Sequence, residues 1–414
     1  MPKTEQTITT DAATPPFQEH YVESVRRLRG ALTEAYQATG VDPASPREAS
    51  RQLKLDKTLS WKLSRIINED VPARVASSIP GTAGIRIAID ALSAAGADPA
   101  AIARLREAFE GFDRMVEVHS GDKAKLELML DSMASVGTDR LEKSRKLAYQ
   151  GNSGIWGVQA GVRLACHMLA PNADDPTLLD YAQIAGYTNF QRLRPSTGWP
   201  VLPLRGFNDD GSPAGMSLTP IETGGDDDLP LLLRDFSKGD LSQLRLNLDE
   251  RGVVYELAEG PVGRTGRFSP YFGYVDRGAL TRYRDEHNHL GELLCIITSP
   301  IETLVFDLLV HRDLAAQIEP PRPLVYGRAS GVMDEHEIRD ERNLLPIKEG
   351  LRGLGMGLPS LAVPFVPGYV DLGRHVISTL GWNIEEFTGW RLLLPYPPLP
   401  STAAVQFNLP SAPA

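Results

Sequence analysis

Cysteine is almost missing from this 414-residue chain, which holds only Cys166 and Cys295. Two thiols cannot build the disulfide framework of a small secreted scaffold or a four-cysteine zinc site. They read as buried thiols of a reducing compartment. Basic charge is also short. The formal net charge of −10 excludes a surface coated all over in cations for nucleic acid, yet leaves room for a small basic module on an acidic body. Long apolar runs are missing too. No window reaches the ~18 consecutive apolar residues of a membrane span. Residues 1–16 are Thr-rich and lack the apolar core of a signal peptide. The expectation is a cytoplasmic protein with no membrane partner. No internal repeat is visible.

What is present is ordinary globular material, 42% hydrophobic and 23% charged. At ~150 residues per domain the length predicts two or three domains. A chain of this size buries enough core to fold without a metal or disulfide. Residues 1–15 are polar and read as a disordered tail. Phe17, Tyr21, Val25, Leu28, Leu32 and Ala35 then recur at helical steps, predicting a helix that ends near Gly40. From about 82 to 148 the chain is rich in Ala, Leu and Glu, with apolar sets such as Ile85, Ile89 and Leu92, or Ile102, Leu105 and Phe109. Glycines divide this stretch into about four short helices.

After Gly151, Pro, Gly and β-forming residues increase. Predicted strands are 201–204, 253–257, 271–275, 293–298, 324–326, 390–394 and 404–407. Predicted helices are 157–169, 301–316, 335–345 and 372–380. Asn208–Asp228 reads as an exposed loop, and Pro395–Pro400 as extended polyproline-like chain.

The informative segment runs from Ser45 to Ile67. Ser45 with Glu48 has the spacing of a capping box, and Pro46 sits at the first helical position, where its missing N–H costs nothing. Ala49 and Leu53 point inward. Leu55 lies in a turn, and Asp56 or Thr58 can cap a second helix. Leu59, Leu63, Ile66 and Ile67 make a narrow apolar stripe. The opposite face carries Lys57, Trp61, Ser64 and Arg65, flanked by Ser60 and Lys62. A basic, hydroxyl-bearing outer face suits a major groove, where Lys and Arg meet phosphates and guanine edges.

In these residues the segment resembles the helix-turn-helix DNA-binding domain of bacterial transcription regulators. The resemblance covers roughly residues 17–70. It departs in having Lys54 at the turn position often filled by glycine, and Ser60 and Trp61 where a β-branched residue is common. The DNA-contacting residues it implies are Arg47, Arg51, Lys54, Lys57, Thr58, Ser60, Trp61, Lys62, Ser64 and Arg65. Charge agrees. Tyr21–Arg65 holds nine basic and five acidic residues, a net of +4 that leaves −14 for the rest of the chain. A basic head on an acidic body contacts DNA at one end. The competing reading is an ordinary helical hairpin that touches protein.

Other motifs are weaker. His311-Arg312-Asp313 matches a kinase catalytic-loop string, but Ile318 stands where the magnesium-binding Asn belongs, and no Asp-Phe-Gly follows. His287 and His289 lack a partner pair for a metal, and His336 reads as part of a solvated helix face. Gly151–Gly157 can cradle an anion before a helix but lacks the P-loop ending. Gly353–Gly357 reads as turns. No Gly-x-Ser-x-Gly elbow occurs.

The expected fold is α+β multidomain. It has a helix-turn-helix domain at 16–72, a helical connector at 73–149 that can dimerise, and a mixed α+β ligand-sensing or interaction domain at 150–414. The expected function is a DNA-binding transcriptional regulator, a homodimer on double-stranded DNA with a small-molecule effector, no cofactor and no metal. Trp156, Tyr271, Phe272, Tyr326 and Trp390 are candidates for an effector pocket, although each singly is expected in the core. The alternative is an enzyme or self-assembling protein whose N-terminal hairpin makes protein contacts.

Overall fold

The computed structural model describes residues 15–133, 138–195, 198–204, 206–207, 213–214, 218–222, 228–249, 252–284, 289–318, 321–328 and 340–412. It divides into two compact units, Met1–Leu141 and Glu142–Ala414. The first is helical, and the second is a mixed sheet domain, so the chain is an α+β multidomain protein. The expected tail at 1–15 lies, apart from Pro15, outside the described residues.

In the first unit, α1 spans Phe17–Thr39, α2 Pro46–Gln52, α3 Lys57–Asn68, α4 Thr82–Ala94, α5 Pro99–His119 and α6 Lys123–Met133. Tyr21, Val25, Leu28, Leu32 and Ala35 are buried along α1, as their spacing predicts. Gly40 ends that helix at φ 70, a left-handed value that glycine takes without steric cost. Asp98 caps α5 by accepting from the Ala100 N–H at 3.3 Å, with Pro99 at the first helical position. One buried cluster runs from Tyr21 through Leu63 and Leu92 to Leu130. This corrects the expected boundary at 72/73. The apolar face of α1 closes against α5, where Tyr21 and Phe112 meet at 6.3 Å and Glu34 pairs with Arg104. The hairpin and the supposed connector therefore share one core.

In the second unit, α7 (Thr138–Trp156) belongs to it from Glu142 onward, so no boundary falls at 149/150. The strands are β1 Val158–Pro171, β2 Leu178–Thr188, β3 Gln191–Arg192, β4 Pro200–Leu204, β5 Gly206–Phe207, β6 Pro213–Ala214, β7 Thr219–Pro220, β8 Leu244–Asp249, β9 Gly252–Leu257, β10 Tyr271–Thr281, β11 Leu290–Ile297, β12 Ile301–His311, β13 Arg322–Tyr326, β14 Arg352–Met356, β15 Phe387–Pro395 and β16 Ser401–Asn408. Among the described residues two helices interrupt them, α8 Arg312–Ala315 and α9 Tyr369–Thr379. The main sheet has the order β14-β15-β12-β1-β2-β10-β7, with β3 also paired to β1. Among the described residues only the central β1–β12 pair is parallel.

Alternation along β1 sorts two cores. Val162, Leu164, Cys166 and Met168 join a cluster with Tyr369, Leu372 and Val376 of α9. Ala165 and Leu169 join residues of the small sheets β11-β16-β13 and β4-β9-β8. The main sheet is therefore covered on both faces.

All seven predicted strands form. Two predicted helices do not: 157–169 is β1, and 301–316 is β12 followed by the single turn α8. Strands buried on both faces read as nearly continuous apolar runs, which periodicity cannot separate from buried helix. Of the predicted helix 335–345, residues 335–339 lie outside the described set, and 341–343 form one 3-10 turn. Most of the expected loop 208–228 is also outside it. Tyr396 takes φ 47, so Pro395–Pro400 is not a continuous polyproline helix.

Candidate nucleic-acid interface

The α2–α3 hairpin is fixed by backbone and side-chain bonds. Pro46 opens α2, but Ser45 makes no side-chain cap, which corrects the expected capping box. The Ser45 hydroxyl instead donates to Asp42 at 3.4 Å, while Gln52 Nε2 donates to Glu48 at 3.2 Å. Leu53 and Leu55 are buried on either side of the turn. Between them Lys54 takes φ 53, a left-handed conformation that glycine adopts without steric cost. The Ser50 hydroxyl donates to the Leu55 carbonyl at 2.7 Å, locking the turn. Asp56 caps α3 by accepting from the N–H groups of Thr58 (2.8 Å) and Leu59 (3.3 Å). The Thr58 backbone N–H is the main cause holding the Asp56 carboxyl below its ordinary pKa.

Leu63 and Ile66 are buried, and Leu59 and Ile67 are partly so. The inward phase of α3 is therefore as predicted. Arg47, Arg51, Lys54, Lys57 and Thr58 are exposed, and Trp61 is 50% exposed. Lys62 and Arg65 are half-buried. The Arg65 guanidinium lies 5.2 Å from the Trp61 ring centre and 3.6 Å from Glu69. Ser60 and Ser64 correct the sequence reading, because both are buried. The Ser60 hydroxyl donates to the Pro46 carbonyl at 2.7 Å, tying α3 to the start of α2. Asn68 Nδ2 donates to Ser64 Oγ at 3.2 Å. Small hydroxyl side chains fit where two helices approach closely, which outer-face counting at 100° per residue does not register.

The outer stripe is thus exposed Lys57, Thr58, Trp61 and Asn68 with half-buried Arg65 among them, and Arg47, Arg51 and Lys54 beside it. Asn68 was missed. It is an exposed polar residue one turn beyond Arg65, a position the spacing alone points to. The α1 cations serve differently. Arg26 and Arg27 pair with Glu23, and Arg29 donates to the carbonyls of Ile66 (3.1 Å) and Glu69. That last contact satisfies the carbonyls left open at the end of α3.

The turn geometry carries its own test. A left-handed conformation costs a side-chain-bearing residue roughly 1–2 kcal/mol, and glycine relieves it at some cost in unfolded-state entropy. Lys54→Gly should therefore raise stability by about 0.5–1 kcal/mol net, read as a higher urea midpoint. A lower midpoint would mean that the turn is not left-handed.

Other sequence signals disperse. Gly151–Gly154 lie inside α7, so no loop there precedes a helix. Gly353–Gly357 fall in and just after β14. Cys166 and Cys295 are buried, and burial pushes both thiols up. His287 and His336 lie outside the described residues. Among the described residues no cluster of three or more His, Cys, Asp or Glu side chains is placed to hold a metal, and no helix is long and apolar enough to cross a membrane. Tyr271, Phe272 and Tyr326 are buried and Trp390 is partly buried against the core, whereas Trp156 is 46% exposed. Comparison with family models, curated proteins and solved structures finds no match for this chain.

Proposed function

We propose that this chain is a cytoplasmic regulator that binds double-stranded DNA through α2 and α3 as a homodimer, while its second unit receives a small-molecule signal. The observation that carries the reading is the hairpin itself. Lys54 is left-handed between two short helices, and an outer stripe of exposed Lys57, Thr58 and Trp61 with half-buried Arg65 faces away from the apolar one. Cations at Arg47, Arg51, Lys54 and Lys57 supply phosphate contacts, and Thr58, Arg65 and Asn68 have the chemistry to read base edges. One such helix reads only a few base pairs, so two-fold pairing is needed for a useful site.

The test is fluorescence anisotropy of the full chain on a random-sequence duplex pool across a salt series. A fragment ending near residue 75 is unsuitable, because α5 covers the apolar face of α1. The combined variant Arg47→Ala, Lys54→Gly and Lys57→Ala should weaken binding and lower the log–log salt slope by about three, near one per phosphate contact. Circular dichroism should be unchanged, since all three residues are exposed. An unchanged affinity and slope would overturn the interface. The half-exposed Trp61 favours one competing reading, a hairpin that docks on protein. That reading expects no salt-dependent duplex binding at all.

A further inference from the structure

Helices α1 and α5 run antiparallel, and different chemistry closes the two ends of their contact. At one end Glu34 pairs with Arg104, whose Nε donates to it at 2.9 Å. At the other, His20 Nδ1 and His119 Nε2 lie 3.0 Å apart. The two rings have centres 5.2 Å apart and are nearly perpendicular, at 77°. Phe17, one turn before His20, meets the His119 ring edge-on with centres 5.5 Å apart. A groove of about 880 Å³ runs from His20 to Glu34 and Arg104, with Ala31, Ala108 and Phe112 among its walls. Both histidines are half-buried, so protons reach them from solvent.

Two imidazole nitrogens bond only when one carries a proton and the other a lone pair. The helix ends favour His119 as the donor. It lies in the last turn of α5, where open carbonyls stabilise positive charge, whereas His20 lies in the first turn of α1, where they do not. The pair keeps its bond while it holds one extra proton. A second extra proton sets N–H against N–H and places two like charges in contact. Burial first, and then His119 and Arg27, lower the His20 pKa from its ordinary value.

Neighbouring charges do not take over the bond. Glu19, Glu23, Arg27 and Arg114 share the groove wall with His20. Glu23 is held by Arg26 and Arg27, Arg114 lies 4.0 Å from Glu110, and Glu19 is exposed. On α5, Asp113 and Glu117 are exposed. Other elements packed on these helices bring charges engaged elsewhere or facing solvent. Arg74 of the 3-10 turn Pro72–Arg74 and Arg86 and Asp90 of α4 are exposed, and Arg65 and Glu69 of α3 pair at 3.6 Å. On α6, Asp122 accepts from the Lys125 N–H at 2.8 Å, and Lys123 donates to the Ile79 carbonyl.

We propose that the His20–His119 pair is an acid-releasable clasp, which holds the first turn of α1 on the end of α5 near neutral pH and frees it when both rings are protonated. Its contribution is fully present above the ordinary histidine value of 6.5 and is lost as pH falls through the lowered His20 value. Glu34 is held below its ordinary pKa, chiefly by its hydrogen bond from Arg104. That end therefore stays closed over the same range, and the groove opens from one side only. The clasp does not depend on DNA binding.

The experiment is hydrogen exchange of the full chain followed by mass spectrometry, near pH 7.5 and near pH 5, with each rate divided by the intrinsic chemical rate at that pH. Amides 20–25 report on the clasp and amides 34–38 on the Glu34 end. Protection of 20–25 should fall about tenfold on acidification, the scale of one lost hydrogen bond, while that of 34–38 changes less than about twofold. His20→Gln keeps a hydrogen-bonding side chain that cannot charge, and its 20–25 protection should change less than about twofold with pH. His119→Gln should behave the same way from the other side. Both side chains are half-buried at helix ends, so the fold survives. A parent whose 20–25 protection is indifferent to pH overturns the proposal. So does an equal fall at both ends of α1, or a fall that persists in both glutamine variants.

Discussion

Asp307→Ala should lower the unfolding free energy of the second unit by about 3–5 kcal/mol, the range for breaking a buried ion pair from one side. Asp307 is fully buried on β12, on the face covered by α9. Its cross-strand partner on β15 is Arg391, which donates Nε to Oδ1 at 2.7 Å and Nη2 to Oδ2 at 2.6 Å. The Tyr369 hydroxyl of α9 donates to Oδ2 at 2.8 Å. The remaining Arg391 N–H groups reach the carbonyls of Leu361 (2.9 Å) and Ala362 (3.1 Å). One carboxylate thus ties two strands, a helix and the segment before it. Removing it strands a guanidinium only 2% exposed, whose desolvation is no longer offset. Urea unfolding of the full chain, followed by near-UV circular dichroism, reads the loss. The double variant Asp307→Leu with Arg391→Met should recover much of it, because removing both charges removes the desolvation penalty. A single variant within about 1 kcal/mol of the parent would mean that the pair is not the fastening described, since intact buried pairs do not break so cheaply.

The same residues show why part of the fold was legible and part was not. The helices of the first unit follow from three- and four-residue apolar spacing, because each has one wet face and one dry face. The strands 253–257 and 404–407 stand out by β-branched and aromatic content between turn residues. The centre of the main sheet is different. Along β1, Val162, Leu164 and Cys166 face α9 while Arg163, Ala165 and His167 face the small sheets, and all six are buried. With no wet face there is no period-two pattern to read. The polar residues among them, which look like a helix's solvent face, belong to internal networks. The hairpin was legible to the level of its apolar stripe and its turn. The fates of Ser60 and Ser64 depend on how closely α3 approaches its neighbours, which single-helix phase does not contain. The packing of Trp156 on Trp199 was out of reach, because the two rings meet only once the strands around them have paired.

The network around His167 predicts a strong acid sensitivity. His167 is 1% exposed and stacks on Phe306 with ring centres 4.7 Å apart. Its Nδ1 lies 2.8 Å from the Tyr181 hydroxyl, and Gln183 Nε2 lies 3.4 Å from its Nε2. The Tyr274 hydroxyl donates to Gln183 Oε1 at 2.6 Å, and Tyr181 and Tyr274 are hydrogen-bonded to each other. One proton assignment closes this ring. Nδ1–H donates to Tyr181, Tyr181 to Tyr274, Tyr274 to Gln183, and the Gln183 amide to an unprotonated Nε2. A second proton on the imidazole would set donor against donor at Gln183 and bury a charge beside Arg163. Burial first, and then Arg163, lower the His167 pKa to about 3 from 6.5. The folded state therefore holds this histidine neutral, while the unfolded state takes up a proton below its ordinary pKa. The contribution to stability is fully present above pH 6.5 and is lost as pH falls toward 3. Between pH 7 and about pH 4 that loss is about 3 kcal/mol, from ~1.4 kcal/mol per unit of pKa difference. Carboxylates also titrate in this window, so the readout is a comparison. His167→Gln keeps a hydrogen-bonding side chain that cannot charge, and it should start less stable at pH 7 through lost stacking on Phe306. Its urea midpoint should then fall much less on acidification than the parent's. Parallel curves for the two proteins would show that His167 is not buried as a neutral imidazole.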